Sequence, residues 1–296
     1  MTMSARSQAA IVAAAGALLL SGCSSEQTTE TRLPIDTYTL TGQDSVTLGN
    51  AYEWLVSDCM RRFGYTYPPT LKQASASAPA ATNLALRYGI SNPDAAAHNG
   101  YHHPPSGTKV APPSVDQSEE LVLDGGQDPM TAADMTPTPQ ERPLHNGLQI
   151  PDHGCSGEAY RTLYGNGGTP GDAPIVTTIS AETFTSSRQD HRVTDAAAAW
   201  SRCMARYGHQ YSAPEDPPTD DRFATPTPSR SEIATATDDV VCKQRAKFIE
   251  TWNTVEIEHQ NKEIQAHNAE LAAVKKAREN AVLTANRILA DPLHKQ

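Results

Sequence analysis

Two distant stretches of this chain repeat one pattern of apolar and polar positions. In the first, Tyr52, Leu55, Val56, Cys59, Met60 and Phe63 recur at helical spacing and so share one face. In the second, Val193, Ala196, Trp200, Cys203, Met204 and Tyr207 do the same. Cys59-Met60-Arg61-Arg62-Phe63-Gly64-Tyr65-Thr66-Tyr67 and Cys203-Met204-Ala205-Arg206-Tyr207-Gly208-His209-Gln210-Tyr211 both read Cys-Met-x-Arg-aromatic-Gly-x-x-Tyr, with Trp54 or Trp200 upstream. The pattern predicts two equivalent units. Each is a helix with a cysteine on its buried face, followed by a short extended aromatic segment. Gly64 and Gly208 stop the helices, because glycine takes the left-handed C-terminal conformation without penalty. Arg62 and Arg206 fall near the helix C-termini, where positive charge is favourable, so a solvated helix end is favoured over anion binding.

Other elements are shorter. Gly154-Cys155-Ser156-Gly157-Glu158-Ala159-Tyr160 opens a helix that ends near Gly165. Asn92-Pro93-Asp94 starts another through Ala95, Ala96 and Ala97, and Leu121-Val122-Leu123 before Asp124-Gly125-Gly126 reads as a brief strand or turn. Pro68 to Thr82, Pro104 to Ser114 and Ala213 to Pro228 are rich in Pro, Ser, Thr and Ala and read as loops or disordered linkers.

The most regular stretch comes last. Ser229-Arg230-Ser231-Glu232 fits a capping box, and beyond it there is no glycine and no proline until Pro292. Val240-Val241-Cys242-Lys243 sits within this long helical pattern, and Phe248, Trp252 and Val255 share one stripe. Ile257, Ile264 and Leu271 recur every seven residues, and Val274, Val282, Ala285 and Leu289 continue the pattern. One unbroken helix over 231–291 would be about 90 Å long. So narrow a stripe needs a partner helix, from this chain or another. The expected packing puts Phe248, Trp252 and Val255 on the domain and leaves the far half, Ile257 to Leu289, to a protein partner.

The N-terminus follows a different rule. After Arg6, an apolar run from Ala9 to Leu20 is long enough for a signal peptide and too short for a permanent membrane span. It ends in Leu20-Ser21-Gly22-Cys23, which resembles the lipobox of bacterial lipoproteins. Small residues let an extended backbone enter a peptidase groove, and Cys23 supplies the side chain that forms a thioether with a diacylglyceryl group. Each buried methylene contributes about 0.8 kcal/mol, so two acyl chains anchor where one would be marginal. Polar Ser24 to Thr31 reads as a short tether. The resemblance implies palmitate-type lipid on Cys23 and a place on the extracytoplasmic face of the cell membrane.

Composition then narrows the picture. With 38% hydrophobic and 6% aromatic residues, much of the former alanine, the chain cannot build a large core, and cross-links are expected. The formal net charge of −10 argues against nucleic acid as a partner and against simple adhesion to an anionic membrane surface. Apart from Cys23, four cysteines remain: Cys59, Cys155, Cys203 and Cys242. In an oxidising compartment an even number reads as disulfides. No Cys-x-x-Cys pair points to zinc. The order of repeat helix and following segment suggests Cys59–Cys155 and Cys203–Cys242, two equivalent half-units. The rival joins like to like, Cys59–Cys203 and Cys155–Cys242.

With these residues assembled, the chain resembles a family of uncharacterised lipoproteins and secreted proteins from actinomycetes. The resemblance rests on Cys59-Met60, Arg87-Tyr88-Gly89-Ile90, Gly154-Cys155-Ser156-Gly157-Glu158-Ala159, Cys203-Met204 and Cys242-Lys243. It covers most of the chain after Cys23 and implies no activity. In the family a glycine-bearing break follows the Cys-Lys pair; this chain has Gln244-Arg245-Ala246-Lys247 there.

The expected fold is mainly α: a small disulfide-stapled helical domain with an internal repeat, long Pro/Ala/Thr-rich loops and a long C-terminal helix. The expected divisions are a signal peptide over 1–22, a lipidated tether over 23–32 and a first cysteine-helix half with long loops over 33–165. The second cysteine helix and a proline-rich linker follow over 166–230, then the long helix over 231–291. His98, His102 and His103 cluster too loosely for a metal site. No Gly-x-Ser-x-Gly elbow, phosphate loop or His-Glu-x-x-His pair is present. Glu158, beside a half-cystine, is the most suspicious carboxylate, and a structural ion pair is the favoured role. No catalytic residue, metal or cofactor is expected. Two function classes remain: a membrane-anchored binding or scaffolding protein of the cell envelope, or an enzyme or enzyme accessory acting on wall polymer or peptide.

Overall fold

A computed structural model describes residues 32–73, 87–102, 116–126, 142–165 and 173–294. The expected signal peptide over 1–22, Cys23, Ser24 to Thr31 and His103 lie outside the described residues. Among the described residues there are nine α-helices and a single two-stranded hairpin, so the domain is mainly α.

The first repeat helix, α1 (Gly42–Arg62), starts with a reciprocal cap between Thr41 and Asp44. It ends where Gly64 takes φ +90°. Asn92 caps α2 (Pro93–Asn99) by accepting from the Ala95 amide. The Leu121 to Leu123 run is not a strand or turn. It belongs to α3 (Gln117–Asp124), because Asp116 accepts from the amides of Ser118 and Glu119 at one end and Gly125 turns left-handed at the other. Strands β1 (Leu144–His145) and β2 (Leu148–Gln149) pair antiparallel across Asn146-Gly147, both at positive φ. This is the two-residue hairpin turn that Asn-Gly favours. Helix α4 (Gly154–Tyr164) carries Cys155 in its first turn.

The second half opens with a helix that the pattern did not suggest, α5 (Pro174–Arg188), with Val176, Ile179, Thr183 and Ser187 buried on one side. The second repeat helix, α6 (His191–Arg206), follows and ends with Gly208 at φ +88°. The proline-rich stretch from Ala213 to Pro228 is an ordered loop holding two 3-10 turns, with Pro217 and Phe223 buried.

The expected long helix over 231–291 is three helices: α7 (Arg230–Arg245), α8 (Phe248–Ala266) and α9 (Asn268–Leu289). Lys247 makes the first break at φ +51°. The break keeps Cys242 on Cys203 and still turns Phe248, Trp252 and Val255 onto Tyr88, Val193 and Ala196. At His267 the backbone only kinks, since its amide still bonds the Glu263 carbonyl and its own carbonyl accepts from Leu271.

The far half of the stripe does not await a partner. Leu271 packs on Leu33, Ile35, Val176 and Ile179, with Ile257, Ile264 and Val274 beside them. Ala281 and Ala285 pack on Leu48, Ala51 and Leu163, with Val282, Ile288 and Leu289 alongside. The partner helices are therefore α1, α4 and α5 of the same chain, together with the 3-10 turn Pro34–Tyr38. That turn is strapped down: the Ile35 amide donates to Gln260 at 3.1 Å, and Arg278 donates to the carbonyls of Thr37 and Thr39 at 2.8 Å each.

Leu271 is fully buried, so Leu271→Ala should cost about 2–5 kcal/mol in urea denaturation, and Ile264→Asp with Leu271→Asp should unfold the domain. An unchanged midpoint in either variant would mean that the stripe is not core.

Candidate functional site

Both half-units close on a cystine. Cys59–Cys155 joins the end of α1 to the start of α4, and Cys203–Cys242 joins the ends of α6 and α7, each with Cα atoms 5.5 Å apart. They close separations of 96 and 39 residues, which the chain-entropy account values at about 4–5 kcal/mol each. One turn past the first cystine, Arg62 pairs with Glu158 at 2.6 Å on the surface. Glu158 is therefore neither buried nor free, and its structural pairing supplies the role expected of it.

The segment 87–102 carries the densest chemistry. Arg87 grips the fully buried Glu256, its Nε donating to both carboxylate oxygens at 2.9 Å. Tyr88 donates its hydroxyl to Glu256 at 2.8 Å, and Gln260 donates to it at 3.0 Å. Burial, then the Glu256 charge, push the Tyr88 hydroxyl far above its ordinary pKa. Gly89 follows at φ +85°, and a Cβ there would stand 2.8 Å from Nζ of Lys243. Lys243 in turn pairs with Asp239 at 2.9 Å, both buried. Asp239 also accepts from Trp200 Nε1 at 2.8 Å and from the Tyr101 hydroxyl at 3.3 Å. Burial raises the Asp239 carboxyl despite these three donors.

Glu232 is the third fully buried acid. Its Oε1 accepts from the Tyr101 amide and His102 Nδ1, both at 2.8 Å, while Oε2 accepts from the Ser229 amide at 3.3 Å as the expected capping box requires. His102 Nε2 lies 2.6 Å from the Thr225 carbonyl. Both ring nitrogens therefore face acceptors, and only the imidazolium can donate to both. The Thr225 carbonyl first, and then Glu232, raise the His102 pKa. His294 repeats the arrangement between the Ile288 carbonyl (2.7 Å) and Asp58 (2.9 Å), stacked on Trp54. Burial lowers its pKa, but those two bonds outweigh burial and the net shift is upward.

Every oxygen of Glu256, Asp239 and Glu232 is already an acceptor within the fold. A general base must reach a substrate proton, and these acids instead hold 87–102 onto α7 and α8. A groove of about 390 Å³ between α5 and α8 contains Ser186 Oγ at 2.8 Å from His259 Nδ1, with Glu182, Glu258 and Lys262 near. Ser186 is a weak nucleophile candidate, since the surrounding amides are spent on the helix and supply no oxyanion donors. Of the histidine cluster, His98 bonds the Asp94 carbonyl and His102 is the clamp just described. Among the described residues, no three His, Cys, Asp or Glu side chains converge to hold a metal.

Of the three acids the sequence marked only Glu232, and only as a helix cap; Glu256 and Asp239 went unremarked. Their trace there is a charge set in line with apolar residues: Glu256 one turn beyond Trp252, and Asp239 and Lys243 in register with Ala236. Searches against protein families, curated proteins and solved structures find no match to this chain.

Replacing Glu256 with Ala strands Arg87, 15% exposed, without its counter-charge. The expected loss is about 3–5 kcal/mol in chemical denaturation, and a loss under about 1 kcal/mol would contradict the clamp. For the histidines, a folded pKa above the ordinary 6.5 means that their stabilisation is complete below that value. It is lost as pH rises through the higher folded pKa. The melting temperature should fall over that interval, and His102→Gln with His294→Gln should flatten the fall.

Proposed function

We propose that this protein is an extracytoplasmic lipoprotein, held to the cell membrane by a diacylglyceryl group on Cys23, whose stapled helical body binds or scaffolds a protein of the cell envelope. One observation carries the proposal. Of five cysteines, four are paired with one another in buried cystines, and the fifth is the one that ends Leu20-Ser21-Gly22-Cys23. Disulfides form in oxidising compartments, so the folded part and the export signal agree on one side of the membrane. The resemblance to actinomycete lipoproteins points the same way.

The body suits a mechanical or binding role. The chain leaving the tether enters the bundle at Leu33 and Ile35, both 1% exposed, and is held by Gln260 and Arg278. A pull on the anchor would thus reach α8 and α9 directly. The buried acids are committed to internal partners, which favours binding over catalysis.

Cys23→Ser should abolish metabolic labelling with a fatty acid and leave a soluble or unprocessed product. If the variant is labelled and partitions into detergent as before, the lipoprotein proposal fails.

A further inference from the structure

The two copies of the repeat end differently. In the first, Phe63 is 4% exposed, because the β1–β2 hairpin lies over it. Asn146 Nδ2 donates to the Phe63 carbonyl at 3.3 Å, and the His145 ring sits 5.2 Å from that of Tyr65 and 6.3 Å from that of Phe63. A Cβ on Gly64 would touch Asn146. Three residues past each half-cystine, Arg62 meets Glu158. A turn and a carboxylate therefore cover the first copy.

Among the described residues, the second copy lacks both. Tyr207, at the position of Phe63, is 40% exposed. A Cβ on Gly208 would meet no heavy atom within 4 Å. Three residues past Cys203 stands Arg206, and three past Cys242 stands Arg245, an arginine where the first copy has Glu158. The Cα atoms of this cystine are 5.5 Å apart, and the Arg245 guanidinium lies 5.7 Å from the Tyr207 ring centroid. Both arginines are exposed. Neither is ion-paired among the described residues, and the nearby Asp238 is held by His209 at 2.9 Å. Helix C-termini offset part of this charge and the Tyr207 ring faces the Arg245 cation, but among the described residues no carboxylate pairs with either arginine.

We propose that Arg206, Tyr207 and Arg245 form the docking face for an acidic segment of a partner protein, covered by a carboxylate-bearing turn as the first copy is covered by Glu158 and the hairpin. The proposal rests on the scaffolding proposal above and names its surface and the chemistry of its partner. Arginine and tyrosine are the residue types that dominate binding hot spots. A net charge of −10 opposes an anionic polymer or bilayer spread over the whole molecule and leaves this positive island as the place where a compact acidic segment gains most.

The test uses the full chain with Cys23→Ser, so that binding is read without the lipid. The probe is a synthetic hairpin peptide with an Asn-Gly turn flanked by glutamates, followed by fluorescence anisotropy. Saturable binding is expected, weakened at least tenfold by Arg206→Glu with Arg245→Glu and by Tyr207→Ser, with melting temperatures unchanged. A matched control, Lys275→Glu with Lys276→Glu, should bind as the parent does. In cells, a photoreactive phenylalanine at position 207 should crosslink to a peptide of net negative charge, and the arginine reversals should abolish that crosslink. Absence of peptide binding, equal weakening in the lysine control, or crosslinking to lipid or glycan instead of peptide would overturn the proposal. Fatty-acid labelling of the parent chain is scored separately, so a failure of anchoring and a failure of docking are told apart.

Discussion

Cys203–Cys242 ties together the ends of two helices, and the path of the last fifty residues depends on that bond. With Cys242 fixed against α6, a straight continuation of α7 could not also bring Phe248, Trp252 and Val255 onto the face of α6 that lies further back. The backbone must turn within a few residues, and Lys247 turns it in the left-handed region. A non-glycine residue there is strained by about a kilocalorie or more. The burial of two large aromatic side chains just beyond, each about 1.5–3 kcal/mol, exceeds that strain. Everything downstream inherits the new direction, including the fit of α9 against α1.

A chain with so little aromatic content also needs polar groups in its interior, and these follow one design. The three fully buried acids, Glu232, Asp239 and Glu256, sit on α7 or α8 and receive donors from the segment 87–102, which has few apolar side chains of its own. Residues 87–90 use every feature they have: Arg87 and Tyr88 on Glu256, the bare Cα of Gly89 to admit Lys243, and the Ile90 carbonyl facing the same ammonium at 3.5 Å. Such ion pairs add less net stability than apolar packing would, but breaking one costs several kilocalories. They therefore fix where the segment lies more than how tightly the whole domain holds.

Much of this was legible in the sequence, and the exceptions have physical causes. The ends of α1 and α6 were readable because Gly64 and Gly208 take the conformation that only glycine adopts freely. The pairing of cysteines followed from the order of the repeat. Helix α5 was hidden by its opening run of Ile175, Val176, Thr177, Thr178 and Ile179, whose branched side chains favour extended chain locally until burial decides otherwise. The hairpin at Asn146-Gly147 carried a strong signal that its short strands obscured. The break at Lys247 had no local signal at all, since it is imposed by contacts distant in sequence. The same holds for the partner of the C-terminal stripe: its near-heptad spacing correctly required another helix, but not whose.

The unequal ends of the two copies follow from chain order. The first copy is followed by some ninety residues before its cystine closes, enough to build α3 and the hairpin and fold them back over Phe63. The second closes after 39, and most of that length is consumed by the loop to Phe223 and by α7 itself. Nothing in the described second half is placed to cover Tyr207. The substitution of an acid by Arg245 at the matching position then removes the internal counter-charge as well. A repeat that is self-satisfied in one copy and open in the other has the form expected when one copy maintains the fold and its duplicate is released to bind. In that arrangement, the face left open lies on the helix pair that the second cystine joins.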